Sequence, residues 1–380
     1  MAVSRWRLCA VNNVFLFSLV GEGAFCYLRI NKNISMMLEW LIPQEQMDAL
    51  RTIINENEKF VVVAHKNPDG DAVGSSLAMM LYLRSIGKTA DVVLPNSYPE
   101  FLAWLPAASE MVVYETAEER ARELVAAADV IFCLDFNSIP RLGVLGDVVA
   151  ATSAPKVLID HHLHPEDAFL LSLSAPEACS TSELVFRVIY RLSGVGALSQ
   201  HMAQAIYTGM MTDTGSFAYA SNRKDIYLIV AELIATGIDK DLIYRKVFYN
   251  YSTSRLRLMG YVLYSKLKFY PKSNAALITL THEELMRFNV SKGDTEGLVN
   301  LPLQKKGVRF SCFLREELPG KINVSLRSVG DFPCNTLAAE FFGGGGHKNA
   351  SGGEVHDTME VAVDKFLKAL NAYRKELTAE

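Results

Sequence analysis

The chain lacks a surplus of positive charge. Its 38 Lys and Arg are outnumbered by 42 Asp and Glu, for a net charge of −4, whereas proteins that coat long DNA carry a broad basic surface. Long duplex nucleic acid is therefore not an expected partner. A phosphate-bearing substrate has to meet positive charge locally, from bound metal or a small basic cluster. Paired cysteines are lacking as well. The six, Cys9, Cys26, Cys133, Cys179, Cys312 and Cys334, contain no CxxC pair, which removes zinc ribbons and thioredoxin-type redox sites. Several sit in apolar runs as small hydrophobes do, and this usage fits a reducing, cytoplasmic compartment.

An unbroken apolar span is also missing. Arg5 and Arg7 precede the stretch Leu8 to Leu28, but Asn12, Asn13 and Glu22 interrupt it and no small-residue cleavage site follows. Neither a signal peptide nor a membrane partner is expected. Residues 1–35 read as an upstream extension, with Met36 or Met37 as the candidate native start. Internal repeats and low-complexity tracts are absent.

What is present is core material. Half of the 380 residues are hydrophobic, enough for two domains. Lys59 to Ala64, Asp129 to Leu134 and Lys156 to Ile159 are short, β-branched apolar runs that predict buried strands. Helical patterns cover 44–55, 72–85, 118–127, 181–192 and 201–211. Strand alternating with helix predicts a parallel sheet covered by helices. Residues 225–267 read as a helical connector. Strands then return at 275–280, 308–314 and 321–326, followed by a helix over 336–342, a glycine-rich run Gly343 to Gly353, and a helix over 358–377. The expected division is an extension 1–35, a catalytic domain 36–255 and a smaller α/β domain 256–380, with the active-site cleft between the two domains.

Carboxylates and imidazoles gather where apolar runs end. His65, Asp69 and Asp71 follow the first strand, Asp135 the second, and Asp160, His161 and His162 the third. Asp213 follows the helix ending at Met211. Loops after the carboxyl ends of parallel strands share one crevice. Imidazole nitrogens and carboxylate oxygens without thiolate suit Mn2+, Mg2+, Fe2+ or Zn2+. Pro68 is expected to stiffen the first loop and Gly70 to permit an unusual turn, so that its two aspartates diverge. A calcium loop starting at Asp69 fails, because Ala78 and Met80 stand where its closing carboxylate belongs. Each piece alone would be an ordinary turn, cap or core histidine; their joint occurrence favours a metal site. Ser75, Ser76 and Ser216 read as caps or packing rather than nucleophiles. The glycine run follows a helix, so it is not a dinucleotide fingerprint. Its backbone N–H groups and His347 suit phosphate binding.

The segments holding His65, Asp69 and Asp71, then Asp135 with Asn137, then Asp160-His161-His162, then Thr212-Asp213-Thr214-Gly215, resemble the successive motifs of the DHH phosphoesterase superfamily. Gly343 to Gly353 resembles the signature of its DHH-associated C-terminal domain. Within the superfamily the compact chain is most similar to the oligoribonuclease (nano-RNase) and adenosine 3′,5′-bisphosphate phosphatase type. The resemblance implies two divalent ions, with manganese first among the candidates, held about 3.5–4 Å apart and activating a water. It assigns His65 and Asp69 to one ion, Asp71, His161 and Asp213 to the other, and Asp135 to both. Asp160 would orient the neighbouring histidines and His162 would face the substrate. Arg327, Gly345, Gly346, His347, Asn349 and Ser351 would bind it. The implied substrates are a small nucleotide or short single-stranded RNA. Related pyrophosphatases, exopolyphosphatases and linear-dinucleotide phosphodiesterases share the metal residues, and a non-catalytic nucleotide or metal binder is the reading from another class. Whether the chain is a monomer or a homodimer is open.

Overall fold

The computed structural model describes residues 41–249, 251–291 and 293–378, together with the backbone of a small antiparallel hairpin, β1 (Arg7–Val11) and β2 (Val14–Ser18). The rest of the 1–35 extension, including the candidate start at Met36 or Met37, lies outside the described residues. The chain divides into two compact units, one comprising Met1–Tyr98 and Leu102–Ile243, the other Pro99–Phe101 and Tyr244–Glu380.

The first unit is organised by a six-stranded sheet. After helix α1 (Gln44–Glu56) come β3 (Lys59–Ala64), helix α2 (Gly70–Ser85), β4 (Thr89–Leu94), β5 (Val112–Val113), α3 (Glu118–Ala127), β6 (Val130–Leu134), α4 (Val144–Ala151), β7 (Lys156–Asp160), β8 (Leu171–Ser174), α5 (Thr181–Ser193) and α6 (Gln200–Asp213). The strand order is β5-β4-β3-β6-β7-β8, and every pairing is parallel. Strands buried on both faces need apolar residues at every position, not alternate ones. The Val61, Val62, Val63 run of β3 and the fully buried Val130 to Leu134 of β6 meet that demand. The chain builds outward from β3 to β5, then returns to the other side of β3 to lay down β6, β7 and β8. The sheet therefore reverses between β3 and β6, and a crevice opens there at the carboxyl ends.

Helices α2 and α6 pack closely through glycine. A Cβ on Gly74 would come within 2.5 Å of the Ala205 carbonyl and 3.0 Å of the Gly209 nitrogen. One helical turn from this contact lie Asp71 on α2 and Asp213 on α6. Helices α7 (Lys224–Ala235) and α8 (Lys240–Phe248) follow. The division at Ile243 precedes the expected boundary at 255, because it falls inside α8, where the sequence offers no proline or glycine to mark it.

The second unit carries α9 (Thr253–Tyr261), β9 (Lys268–Tyr270), β10 (Ala275–Leu280), α10 (His282–Arg287), β11 (Phe310–Leu318), β12 (Lys321–Ser328), α11 (Cys334–Phe342), β13 (Gly345–His347), β14 (Ala350–Val355), α12 (Met359–Ala372) and α13 (Arg374–Thr378). Its sheet runs β13-β14-β12-β11-β10-β9, with only β10 and β11 parallel among the described pairs. Residues alternate between two apolar layers. Leu277, Phe310, Cys312 and Leu314 pack with α11 and α12, whereas Ile278, Leu280 and Phe313 pack with Leu258 and Leu298. This confirms a mixed α/β second domain. Among the described residues no helix is long and apolar enough to cross a membrane.

Candidate metal centre

The structure brings together the residues read from the four sequence segments of the first unit. His65 follows β3 directly, and its Nε2 lies 3.5 Å from Asp135 Oδ2 and 3.9 Å from Asp69 Oδ1. His161 follows β7, and its Nε2 lies 3.6 Å from Asp135 Oδ1, 3.6 Å from Asp213 Oδ2 and 4.0 Å from Asp71 Oδ2. Two donor groups result, His65 with Asp69 and Asp135, and Asp71 with His161 and Asp213. Asp135 stands between them with one oxygen toward each.

Each candidate ligand has a local reason for its position. Asp69 is more than half exposed, yet its Oδ1 accepts from the N–H groups of Asp71 (3.0 Å) and Ala72 (3.1 Å), capping α2. Gly70 lies inside this first turn. Its expected role in an unusual turn is not what the structure shows: a Cβ there would meet Thr212 Oγ1 at 2.2 Å, so the requirement is close approach of α6. The left-handed residue of the loop is instead Asn67, at φ 57°, whose backbone N–H and side-chain oxygen pair with the Asn96 amide. Asp135 is itself left-handed, at φ 64°, a conformation that Asp tolerates better than most residues. It turns the carboxylate back over the strand end.

Asp71 is buried between α5 and α6. Its two oxygens accept from the Thr181 and Ser182 N–H groups, at 2.6 and 2.9 Å, at the start of α5. A Cβ on Gly209 would lie 1.9 Å from Ser182 Oγ and 2.9 Å from Asp71 Oδ1. The Thr181 hydroxyl donates to Asp135 Oδ1 at 2.9 Å. Behind this turn, Glu183 accepts from the Cys179 N–H and from Arg187, and both are fully buried; Arg187 and Arg223 also reach Asp225. The sequence reading missed Thr181, Ser182, Glu183 and Arg187. The Ser180-x-x-Glu183 spacing ahead of an apolar run was the available signal. Ser180 does cap Glu183 N–H, but the Glu183 carboxylate turns to Cys179.

The imidazoles are oriented for ligation. Nδ1 of His65 lies 2.9 Å from the Lys66 carbonyl, and that of His161 3.3 Å from the Ala178 carbonyl. A proton on each Nδ1 leaves Nε2 with its lone pair toward the carboxylates. Asp160 holds the neighbouring His162 through Nδ1 at 2.7 Å; the hydrogen bond of His161 goes to the backbone instead.

Charge balance follows from this crowding. Burial opposes a charged imidazole, but Asp135 and Asp69 outweigh it and raise His65 from 6.5 to about 9. Burial is outweighed in the same way at His161, which Asp135, Asp71 and Asp160 raise. Burial, then the charges of Asp135 and Asp213, push Asp71 well above the usual carboxylate range. At Asp135 burial is overcome by His65, His162 and His161, which hold it well below that range. Carboxylates this close need compensating positive charge. The donor set, oxygen and imidazole nitrogen without thiolate, fits hard to borderline divalent cations, which would displace the protons.

In the second unit, Arg327 and His347 both stand in register with Ala350, on either side of it. Paired residues share one sheet face, so two basic side chains flank one small residue, with their strands about 10 Å apart. Gly345 and Gly346 are exposed, and Gly346, at φ 136°, has no room for a side chain against Ala350. Asn349 and Ser351 are turned inward. The Asn349 amide donates to Ser328, Gly330 and Phe332, and the Ser351 hydroxyl is buried against Cys334.

The reversing parallel sheet and its shared-carboxylate cluster define a candidate metal-binding α/β protein. Residues 59–210 match the N-terminal domain of the DHH family and residues 273–376 the DHHA1 domain; the chain belongs to the DHH family. A crystal structure of an exopolyphosphatase-related protein from Bacteroides fragilis is 52% identical, with a TM-score of 0.86, covering 90% of this chain and 100% of that one. The bifunctional oligoribonuclease and PAP phosphatase NrnA of Thermus thermophilus is 29% identical over 88% of this chain and 95% of its own length. The cyclic-di-AMP phosphodiesterase GdpP of Geobacillus thermodenitrificans is 25% identical over 86% of this chain but 49% of its own length.

Proposed function

We propose that this chain is a metal-dependent phosphoesterase that hydrolyses short oligoribonucleotides and adenosine 3′,5′-bisphosphate. The observation that carries the metal-dependent reading is Asp135, whose two oxygens face two separate donor groups. His65 and Asp69 would hold one ion, Asp71, His161 and Asp213 the other, and Asp135 both. Mn2+ is the first candidate, with Mg2+ and Fe2+ sharing the donor preference. Bound there, the pair of ions would supply positive charge to the phosphate oxygens and acidity to water.

The chain's own groups do the rest. Asp160 holds the ring of His162, whose other nitrogen would exchange a proton with a substrate oxygen. Arg327 and His347 bind phosphate from the second unit, and the exposed Gly345 and Gly346 let backbone N–H groups approach it. Asn349 and Ser351 hold that hairpin in shape. A small nucleotide or short single strand is the substrate class, and long duplex is excluded. The choice among phosphate esters rests on the Thermus relative, matched over nearly its whole length, where the phosphodiesterase is matched over half. The four described cysteines, all free and buried, support a cytoplasmic setting.

The test is phosphate release from adenosine 3′,5′-bisphosphate with Mn2+, beside RNAs from dinucleotide to long oligomer, pyrophosphate, polyphosphate and a linear dinucleotide. Turnover of the bisphosphate and the shortest RNAs, lost with chelator, is expected. Turnover of pyrophosphate or polyphosphate instead would replace the substrate. Metal bound without hydrolysis of any ester would leave a binding protein.

A further inference from the structure

We propose that Thr181 is a positioning residue that couples the two cation sites, an inference that rests on the metal-binding reading above. Thr181 is fully buried and bonds a carboxylate of each kind: its backbone N–H holds Asp71 Oδ2, and its hydroxyl holds Asp135 Oδ1. A carboxylate oxygen has two in-plane lone pairs. At Asp135 Oδ1 the hydroxyl occupies one, which fixes rotation about the Cβ–Cγ bond. With the group so fixed, Oδ1 faces His161 and Oδ2 faces His65. Without this bond the carboxylate is held mainly from the His65 side, and Oδ1 turns more easily away from His161.

The turn carrying Thr181 is itself anchored. Glu183 bonds the Cys179 N–H at 2.6 Å and Arg187 Nε at 2.9 Å, and Arg223 holds the Glu177 carbonyl. The same loop presents the Ala178 carbonyl to His161 Nδ1. One braced segment, Glu177 to Glu183, therefore sets the orientation of His161, Asp71 and Asp135. Thr181 is its point of contact with the shared carboxylate.

Thr181→Val separates the two bonds, because it removes the hydroxyl and keeps both the backbone N–H and the side-chain volume. Mn2+ binding is measured by titration calorimetry at a temperature where circular dichroism shows each variant folded. The wild type should take up two ions. Thr181→Val should bind at least one ion about 10- to 100-fold more weakly, as loss of an outer hydrogen bond to a metal ligand does. Thr181→Ser should stay near wild type in affinity, and kcat should fall with affinity in Thr181→Val while KM stays unchanged. If Thr181→Val does not fold, Thr181→Ala with Thr181→Ser makes the same comparison. Two ions bound with wild-type affinity by Thr181→Val would overturn the proposal. So would a Thr181→Ser variant as weak as Thr181→Val, which would assign the effect to packing. A wild type that binds fewer than two ions would instead remove the metal reading on which the proposal stands.

Discussion

Asp135→Asn should lower the imidazole titration of His65 in the metal-free protein from about 9 toward the ordinary 6.5. The substitution keeps shape and removes one buried charge 3.5 Å from Nε2. With that charge gone, burial again opposes protonation. The displacement from 6.5 to about 9 corresponds to roughly 3 kcal/mol of preference for the charged ring. A raised folded-state value stabilises the native protein fully below the unfolded value, and that contribution fades as pH rises through the folded one. The unfolding free-energy gap between wild type and variant should therefore be wider at pH 6 than near pH 10, by at most roughly 3 kcal/mol because Asp69 and the Lys66 carbonyl keep their share, with chelator present. Metal affinity carries the opposite sign. Protons on His65 and His161 must leave before a cation enters, so wild-type affinity should climb with pH until His65 is neutral. NMR titration of the imidazole, with urea unfolding at the two pH values, reads both quantities. A His65 that still titrates near 9 in Asp135→Asn, or a gap independent of pH, would refute the assignment of this charge to Asp135.

Gly209→Ala should destabilise the first unit by about 1–3 kcal/mol, because the new Cβ would fall 1.9 Å from Ser182 Oγ and 2.9 Å from Asp71 Oδ1; a thermal melt within a degree of wild type would show that α6 gives way easily. Glu183→Gln should cost about 3 kcal/mol, since it leaves the fully buried Arg187 with less compensating charge; urea denaturation measures it, and an unchanged midpoint would mean that Asp225 suffices.

Much of this was legible in order along the chain. Lys59 to Ala64, Glu118 to Ala127 and Ala275 to Leu280 form the strands and helix that their patterns predict, because buried parallel strands and amphipathic helices write their periods plainly. The short strands Val112–Val113 and Leu171–Ser174 and the helix Val144–Ala151 were missed. Pieces of that length carry too little period to read, and tertiary pairing makes them. The clustered histidines and aspartates were legible because each lies just beyond an apolar run. Thr181 and Glu183 were not, since a serine-rich helix start looks the same whether it faces water or braces a carboxylate. Gly70 shows the same limit from another side: sequence signalled a special position, but only packing against Thr212 says why.

The reversal of the sheet between β3 and β6 has a consequence for the timing of synthesis. One donor group closes with Asp135, but the other needs Asp71, early in the chain, and Asp213, at the end of the helix after the last strand. A growing polypeptide cannot complete that second site until its entire first sheet has left the ribosome. Cation capture by the full pair would then report that the unit has folded. Cations bound there would act on an assembled fold, stabilising it by mass action, and half-made chains would offer them no complete pair of donor groups.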